Sequence, residues 1–360
     1  MQIFILGMHR SGTSLVASLL REMGASAGSA SQDIGANEEN PRGFHERRDV
    51  IDFDQAVLQA VGCDWHRVHA FDLGRLPEVT RERFARAAAE IVHELDDERP
   101  WFVKDPRLCL TLPVWAGVAE QPVVVLVHRN PLEVAESLRR RNDFPHGFGI
   151  ALWERYNLEA LRASAELPTV ILSYNELLAR PHRTAVRLHA HLVAAGVLGL
   201  DRLTPEVAQG LVDRRLYRNR RAEPDLEELL NVKQLRLYRS LKDRTATVAE
   251  VPTPSQGGRL SLEEYELEIA AAEGLGIPLL TDEMEDEAAA SEGAFDPRPG
   301  MSSRYRRLED RLRELIDLQE RTRERRDRAE AAYARAKTRV GRLEAINESL
   351  RRRIDGPAPD

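Results

Sequence analysis

Four short apolar runs punctuate the first half of the chain: QIFIL at residues 2 to 6, WFVK at 101 to 104, PVVVLVH at 122 to 128 and TVILS at 169 to 173. They are rich in β-branched residues and lack the polar alternation of a half-solvated strand, which predicts strands buried on both faces of a parallel sheet. Between them, apolar residues recur at helical spacing. LVASLLREMG closes on Gly24, similar patterns occupy residues 49 to 62, 80 to 97 and 181 to 195, and PLEVAESLRR opens on Pro131, where a missing N–H costs little. Strands alternating with helices predict a doubly wound α/β sheet, P-loop-like in its opening strand, loop and helix, with right-handed crossovers. Residues 25 to 48 are rich in Gly, Ser, Asn and Pro and carry no period. They read as a long loop, and loops of that length are commonly functional.

The pattern changes near residue 243. PTPSQGG at 252 to 258 and an acidic, Ala-rich segment at 281 to 300 predict a linker over 244 to 300 with short helices. From Ser302 to Ile354 there is no proline, and Tyr305, Leu308, Leu312, Leu315, Tyr333, Val340, Leu343 and Leu350 fall on one heptad seam. The chain therefore divides into an α/β domain at 1 to 243, the linker, and a coiled-coil helix at 301 to 355 that could make a homodimer. Gln319, Thr322 and Arg326 weaken the middle of the seam, and Asn347 on it could select register.

Charge sharpens this division. The net charge is -7 over 360 residues, yet residues 301 to 353 hold 17 Arg or Lys against 10 Asp or Glu, so the remainder is strongly acidic. An acidic body argues against a nucleic-acid partner, which calls for a basic face. Two cysteines, Cys63 and Cys109, are too few for a disulfide framework and read as small core residues. With no apolar run long enough to span a bilayer, a cytoplasmic address is expected. Arginine dominates the cations, and Lys104 stands alone among the first 230 residues as a lysine.

The segment GMHRSGTSL, between the first strand and helix, sets backbone N–H groups and a helix N-terminus toward an anion. Gly7 and Gly12 have Walker spacing, but Thr13 occupies the lysine position that a nucleoside triphosphatase needs. The positive charge comes earlier, at Arg10. This arrangement resembles the 5′-phosphosulfate loop of bacterial-type sulfotransferases that use 3′-phosphoadenosine 5′-phosphosulfate (PAPS). VVVLVHRNPLEVAESLRRR at 123 to 141 is similar to that family's 3′-phosphate motif, with Arg129 and Ser137 at the binding positions. A guanidinium fork and a hydroxyl suit a phosphomonoester. NPRGFHERRDV at 40 to 50, WFVKDPRLCLTLPVW at 101 to 115 and TVILSYNELLARP at 169 to 181 extend the resemblance to about residue 195, and Tyr174 matches a position near the adenine.

The resemblance implies donor binding by Arg10, Ser11, Gly12, Thr13, Ser14, Arg129, Ser137 and Tyr174, without a metal. Sulfuryl transfer needs cations where charge develops on the leaving oxygen and a base for the acceptor proton. Arg10, the N–H groups of residues 11 to 14 and Lys104 answer the first need, with Asp105 and Arg107 holding the loop in place. Glu46 in GFHE is the first choice of base, His45 the second, and Glu38 and Glu39 lie nearby. The acceptor is a hydroxyl or amine, with a glycan or lipid favoured, in a pocket shaped by residues 25 to 48 and 142 to 150. A P-loop kinase or triphosphatase is the rival enzyme, and a non-catalytic coiled-coil scaffold the rival outside enzymes.

Overall fold

The computed structural model describes residues 1–35, 43, 45–212, 223–244 and 253–274. Two compact units divide the chain at Leu280, and the second, with the coiled-coil segment and the acidic stretch before it, lies outside the described residues. In chain order the first unit comprises β1 (Gln2–Leu6), α1 (Thr13–Glu22), α2 (Arg48–Ala60), α3 (Glu78–Leu95), β2 (Trp101–Lys104), α4 (Leu108–Ala116), β3 (Pro122–His128) and α5 (Pro131–Asn142). There follow α6 (His146–Ala163), β4 (Thr169–Ser173), α7 (Tyr174–Ala179), α8 (Pro181–Ala194), α9 (Pro205–Gly210), α10 (Glu223–Leu229), α11 (Val232–Asp243) and α12 (Gln256–Gly274).

The strands form one parallel sheet in the order β2-β1-β3-β4, and each coincides with an apolar run of the sequence. Period-two geometry sorts their side chains. Phe4, Leu6, Val103, Val124 and Leu126 join a core with α2 to α6, while Ile3, Ile5, Phe102, Val123 and Val125 join a second core with α1 and α8. Helices therefore cover both faces, and the strands need no solvated side. The edge of β2 is covered by the chain leaving α1, where Ser26 bridges Trp101 and the Phe102 amide donates to the Ser26 carbonyl at 2.8 Å.

Of the segment that the sequence offers as pocket-shaping at 142 to 150, residues 146 to 150 form the start of helix α6. Its residues from Phe148 to Leu161 are nearly all buried, so no amphipathic stripe marks it. α12 lies in the segment read as linker and packs on α6. Glu154 of α6 pins it: this buried carboxylate accepts from Gln234 Nε2 at 2.8 Å, the Ser255 amide at 2.6 Å and Ser255 Oγ at 2.7 Å.

Candidate active site

Hydrophobic burial fixes the end of β1, and the loop that follows is tied to it from several sides. The Gly7 amide donates to the buried Cys109 Sγ at 3.2 Å, and a Cβ on Gly7 would lie 2.6 Å from the Val127 carbonyl oxygen and 2.8 Å from the Thr13 methyl. Thr13 thus turns inward at the place where a nucleotide-hydrolysing loop carries lysine. Gly12 has φ 89°, and a Cβ there would meet the Tyr174 ring at 2.1 Å. Both the left-handed backbone and the aromatic neighbour demand glycine. The Ser11 amide is used within the loop, donating to the Met8 carbonyl at 3.0 Å. The amides of Gly12, Thr13 and Ser14 open α1, where first-turn N–H groups have no intrahelical acceptor.

The end of β3 brings a second set of donors to the same loop. Arg129 follows the strand directly, and Pro131 starts α5 behind an Asn130 cap that accepts from the Leu132 amide at 2.9 Å. Arg129 Nη1 donates to the Arg10 carbonyl at 3.0 Å, and Arg10 Nε donates to Ser137 Oγ at 2.8 Å. The Arg129 guanidinium stands 4.8 Å from the centre of the Tyr174 ring. Arg10, Gly12, Arg129, Ser137 and Tyr174, dispersed over more than 160 positions, thereby form one cationic, half-buried surface.

On the other flank of α1, Lys104 ends β2 almost fully buried. Its ammonium donates to Ser14 Oγ at 3.4 Å and forms an ion pair with Glu46. Residues 32 to 34 pair antiparallel with 46 to 48, the Ile34 amide donating to the Glu46 carbonyl and the Arg48 amide to that of Gln32, which straps Glu46 beside Lys104. Burial raises the Glu46 pKa above the ordinary carboxylate value, and Lys104 opposes that rise. His45 has φ 53° and its Nε2 lies 2.9 Å from Ser18 Oγ, one turn along α1 from Ser14. Its pKa is lowered by burial and then by Lys104. Asp105 and Arg107 form an adjoining ion pair at 3.2 Å, with the Arg107 amide donating to Asp105 at 2.6 Å. Glu38 and Glu39 lie outside the described residues.

His9 and Glu133 escaped the sequence reading, and Cys109, read as a small core residue and buried as one, has a further contact. His9 lies within the glycine-rich loop after β1 against Trp65, ring centres 4.5 Å apart, and Tyr156 at 5.9 Å. Burial, followed by Arg107, Arg141, Lys104 and Arg10, lowers its pKa well below the usual histidine value, so the ring is neutral. Glu133, buried on α5, accepts from Arg129 Nε at 2.9 Å and orients the guanidinium; the four-residue spacing in RNPLE was its only signal. Cys109 holds Gly7 through a contact that no local pattern announces. Among the described residues no group of His, Cys, Asp or Glu is arranged to hold a metal ion, and no helix is long and apolar enough to cross a membrane.

A family model described as "Sulfotransferase family" matches residues 2–194. No curated protein matches the chain. Among solved structures, it is similar to the sulfotransferase domain from the curacin biosynthetic pathway at 15% identity, over 73% of this chain and 96% of that one, with a TM-score of 0.36. The sulfotransferase domain of the Synechococcus PCC 7002 olefin synthase matches at 16% identity over 73% and 94%, TM-score 0.36. A sulfotransferase from Mycobacterium tuberculosis H37Rv matches at 18% over 58% and 70%, TM-score 0.32.

Proposed function

The chain belongs to the sulfotransferase family, and from that premise we propose that it transfers the sulfuryl group of PAPS to a hydroxyl or amine of an acceptor. The observation that carries this reading is the junction of the two anion-binding elements: Arg129 holds the Arg10 carbonyl at 3.0 Å while Arg10 holds Ser137 at 2.8 Å. A nucleotide with charged groups at both its 5′ and 3′ positions suits such a surface. Arg129 and Ser137 would take the 3′-phosphate, Tyr174 would flank the adenine, and Arg10 with the amides of Gly12, Thr13 and Ser14 would take the phosphosulfate. Ser11, its amide already engaged, would shape the loop.

In the transfer, the acceptor oxygen bonds to sulfur as the bond from sulfur to the bridging phosphate oxygen breaks, its electron pair staying with the phosphate. The hydroxyl proton passes to the Glu46 carboxylate, giving a sulfate ester and 3′-phosphoadenosine 5′-phosphate. Lys104, beside both Ser14 and Glu46, is placed to offset charge on the departing oxygen and to keep Glu46 ionised before the proton moves. His45 is the alternative base through its position beside Ser18. A cytoplasmic enzyme, dimerised through its C-terminal helix, completes the proposal.

A kinase or triphosphatase reading is disfavoured by the inward-turned Thr13. Calorimetry decides between them. We expect 3′-phosphoadenosine 5′-phosphate to bind, and Arg129→Ala and Ser137→Ala each to weaken it, the arginine change by about 1.5–3 kcal/mol for a lost charged hydrogen bond. Tight binding of ATP without binding of that nucleotide overturns the proposal.

A further inference from the structure

Beside the edge strand β2 lies a cavity of about 240 Å³. Glu46, His45 and Lys104, the three side chains proposed for chemistry, all line it, and none of Arg10, Arg129, Ser137 and Tyr174 does. The donor surface and the cavity thus meet at Lys104 and Ser14, 3.4 Å apart. The wall is about equally polar and apolar, Phe102, Val103 and three alanines forming the apolar part, and the polar part carries both signs of charge: Arg21 and Arg47 face the same space as Asp33, and Ser26 and Ser29 contribute hydroxyls. Arg47 is only 4% exposed, and it reaches this position because Gly28 has no side chain: a Cβ there would lie 1.9 Å from Nη1.

Resting on the sulfotransferase reading above, we infer that this cavity receives the acceptor and that its occupant is one polyhydroxylated unit, a single sugar ring or small polyol. Three considerations lead there. An alkyl chain would strip water from Arg21 and Asp33 and return no hydrogen bond, an unfavourable exchange for polar groups. A purely anionic or cationic group would meet like charge in either Asp33 and Glu46 or Arg21 and Arg47. A hydroxyl both donates and accepts, so a ring of hydroxyls can satisfy a wall whose polar part is of mixed sign. The volume lies below the roughly 300–1,000 Å³ of sites for larger ligands, which limits the cavity to one such unit. One hydroxyl of that unit would face Glu46 and leave as the sulfate ester by the transfer described above.

The experiment offers the full chain labelled PAPS with methyl glucoside, glycerol, phenol or dodecanol, and measures initial rates together with calorimetric binding of 3′-phosphoadenosine 5′-phosphate. Methyl glucoside or glycerol should be the preferred acceptor. Ala30→Trp, which fills the cavity from an exposed lining position, should raise the KM for that acceptor about tenfold while nucleotide affinity is unchanged. Ser29→Trp provides a second filling variant should the first fold poorly. Preference for phenol or dodecanol, absence of transfer to either polyol, or an unchanged KM in both variants overturns the inference. Failure of the wild-type chain to bind the nucleotide instead overturns the donor assignment on which it rests.

Discussion

In the proposed transfer, the single ion pair of Lys104 and Glu46 would serve two steps. Buried together, each lowers the cost of the other's charge, yet burial still lifts the Glu46 pKa above its ordinary value. A base must be ionised, so activity should fall as pH drops through that raised pKa and level off above it. We expect the acid limb of the kcat/KM profile to lie above the usual glutamate range. Glu46→Gln should remove that limb and lower kcat by about 10²–10⁴ with nucleotide affinity retained. An unaltered profile in this variant would move the role to His45. The types of these residues were legible in GFHE and in a lone lysine among arginines, whereas their contact was not, because 58 positions separate them.

At the scale of elements, the strands were readable because burial on both faces leaves uninterrupted apolar runs between glycine and proline signals. α6 was not, for a related reason: a helix enclosed by α4, α5 and α12 is apolar around most of its circumference, and periodicity needs a contrasting polar face. α12 depends on Glu154, whose carboxylate satisfies Gln234 and both polar groups of Ser255. Glu154→Ala leaves these buried donors unpaired at about 1–3 kcal/mol each. Hydrogen exchange in residues 256–270 should therefore accelerate while that of the four strands persists. Equal acceleration in the strands would show that the clamp serves the whole fold rather than α12.

For the molecule as a whole, the buried histidines contribute to its response to acid. His128 closes β3 fully buried, and burial, aided by Arg244, depresses its pKa to about 3. Unfolded, the same ring takes a proton below about pH 6.5. Between those values unfolding absorbs a proton, so stability from this group is complete above about 6.5, declines as pH falls, and levels near 3, with a slope of at most about 1.4 kcal/mol per pH unit. Denaturant titrations at pH 7 and pH 5 should show a smaller difference for His128→Asn than for the parent chain. Identical differences would assign the acid sensitivity to other groups, His9 first among them.

Local chemistry alone determined the four strands, the glycine-rich loop after β1 and the types of the candidate site residues, because burial pattern, glycine placement and charge act over a few neighbouring positions. The tertiary structure decided which of these groups meet. Parallel pairing of β1 with β2 and β3 sets Lys104 and Arg129 on opposite sides of one loop, and that adjacency arises from strand order and packing between distant segments. The same packing encloses the cavity beside β2: residues 25–33 and 45–47, within the loop that the sequence offers as pocket-shaping, supply most of its wall, and Arg21 of α1 and Phe102 to Lys104 of β2 meet that loop only in the fold.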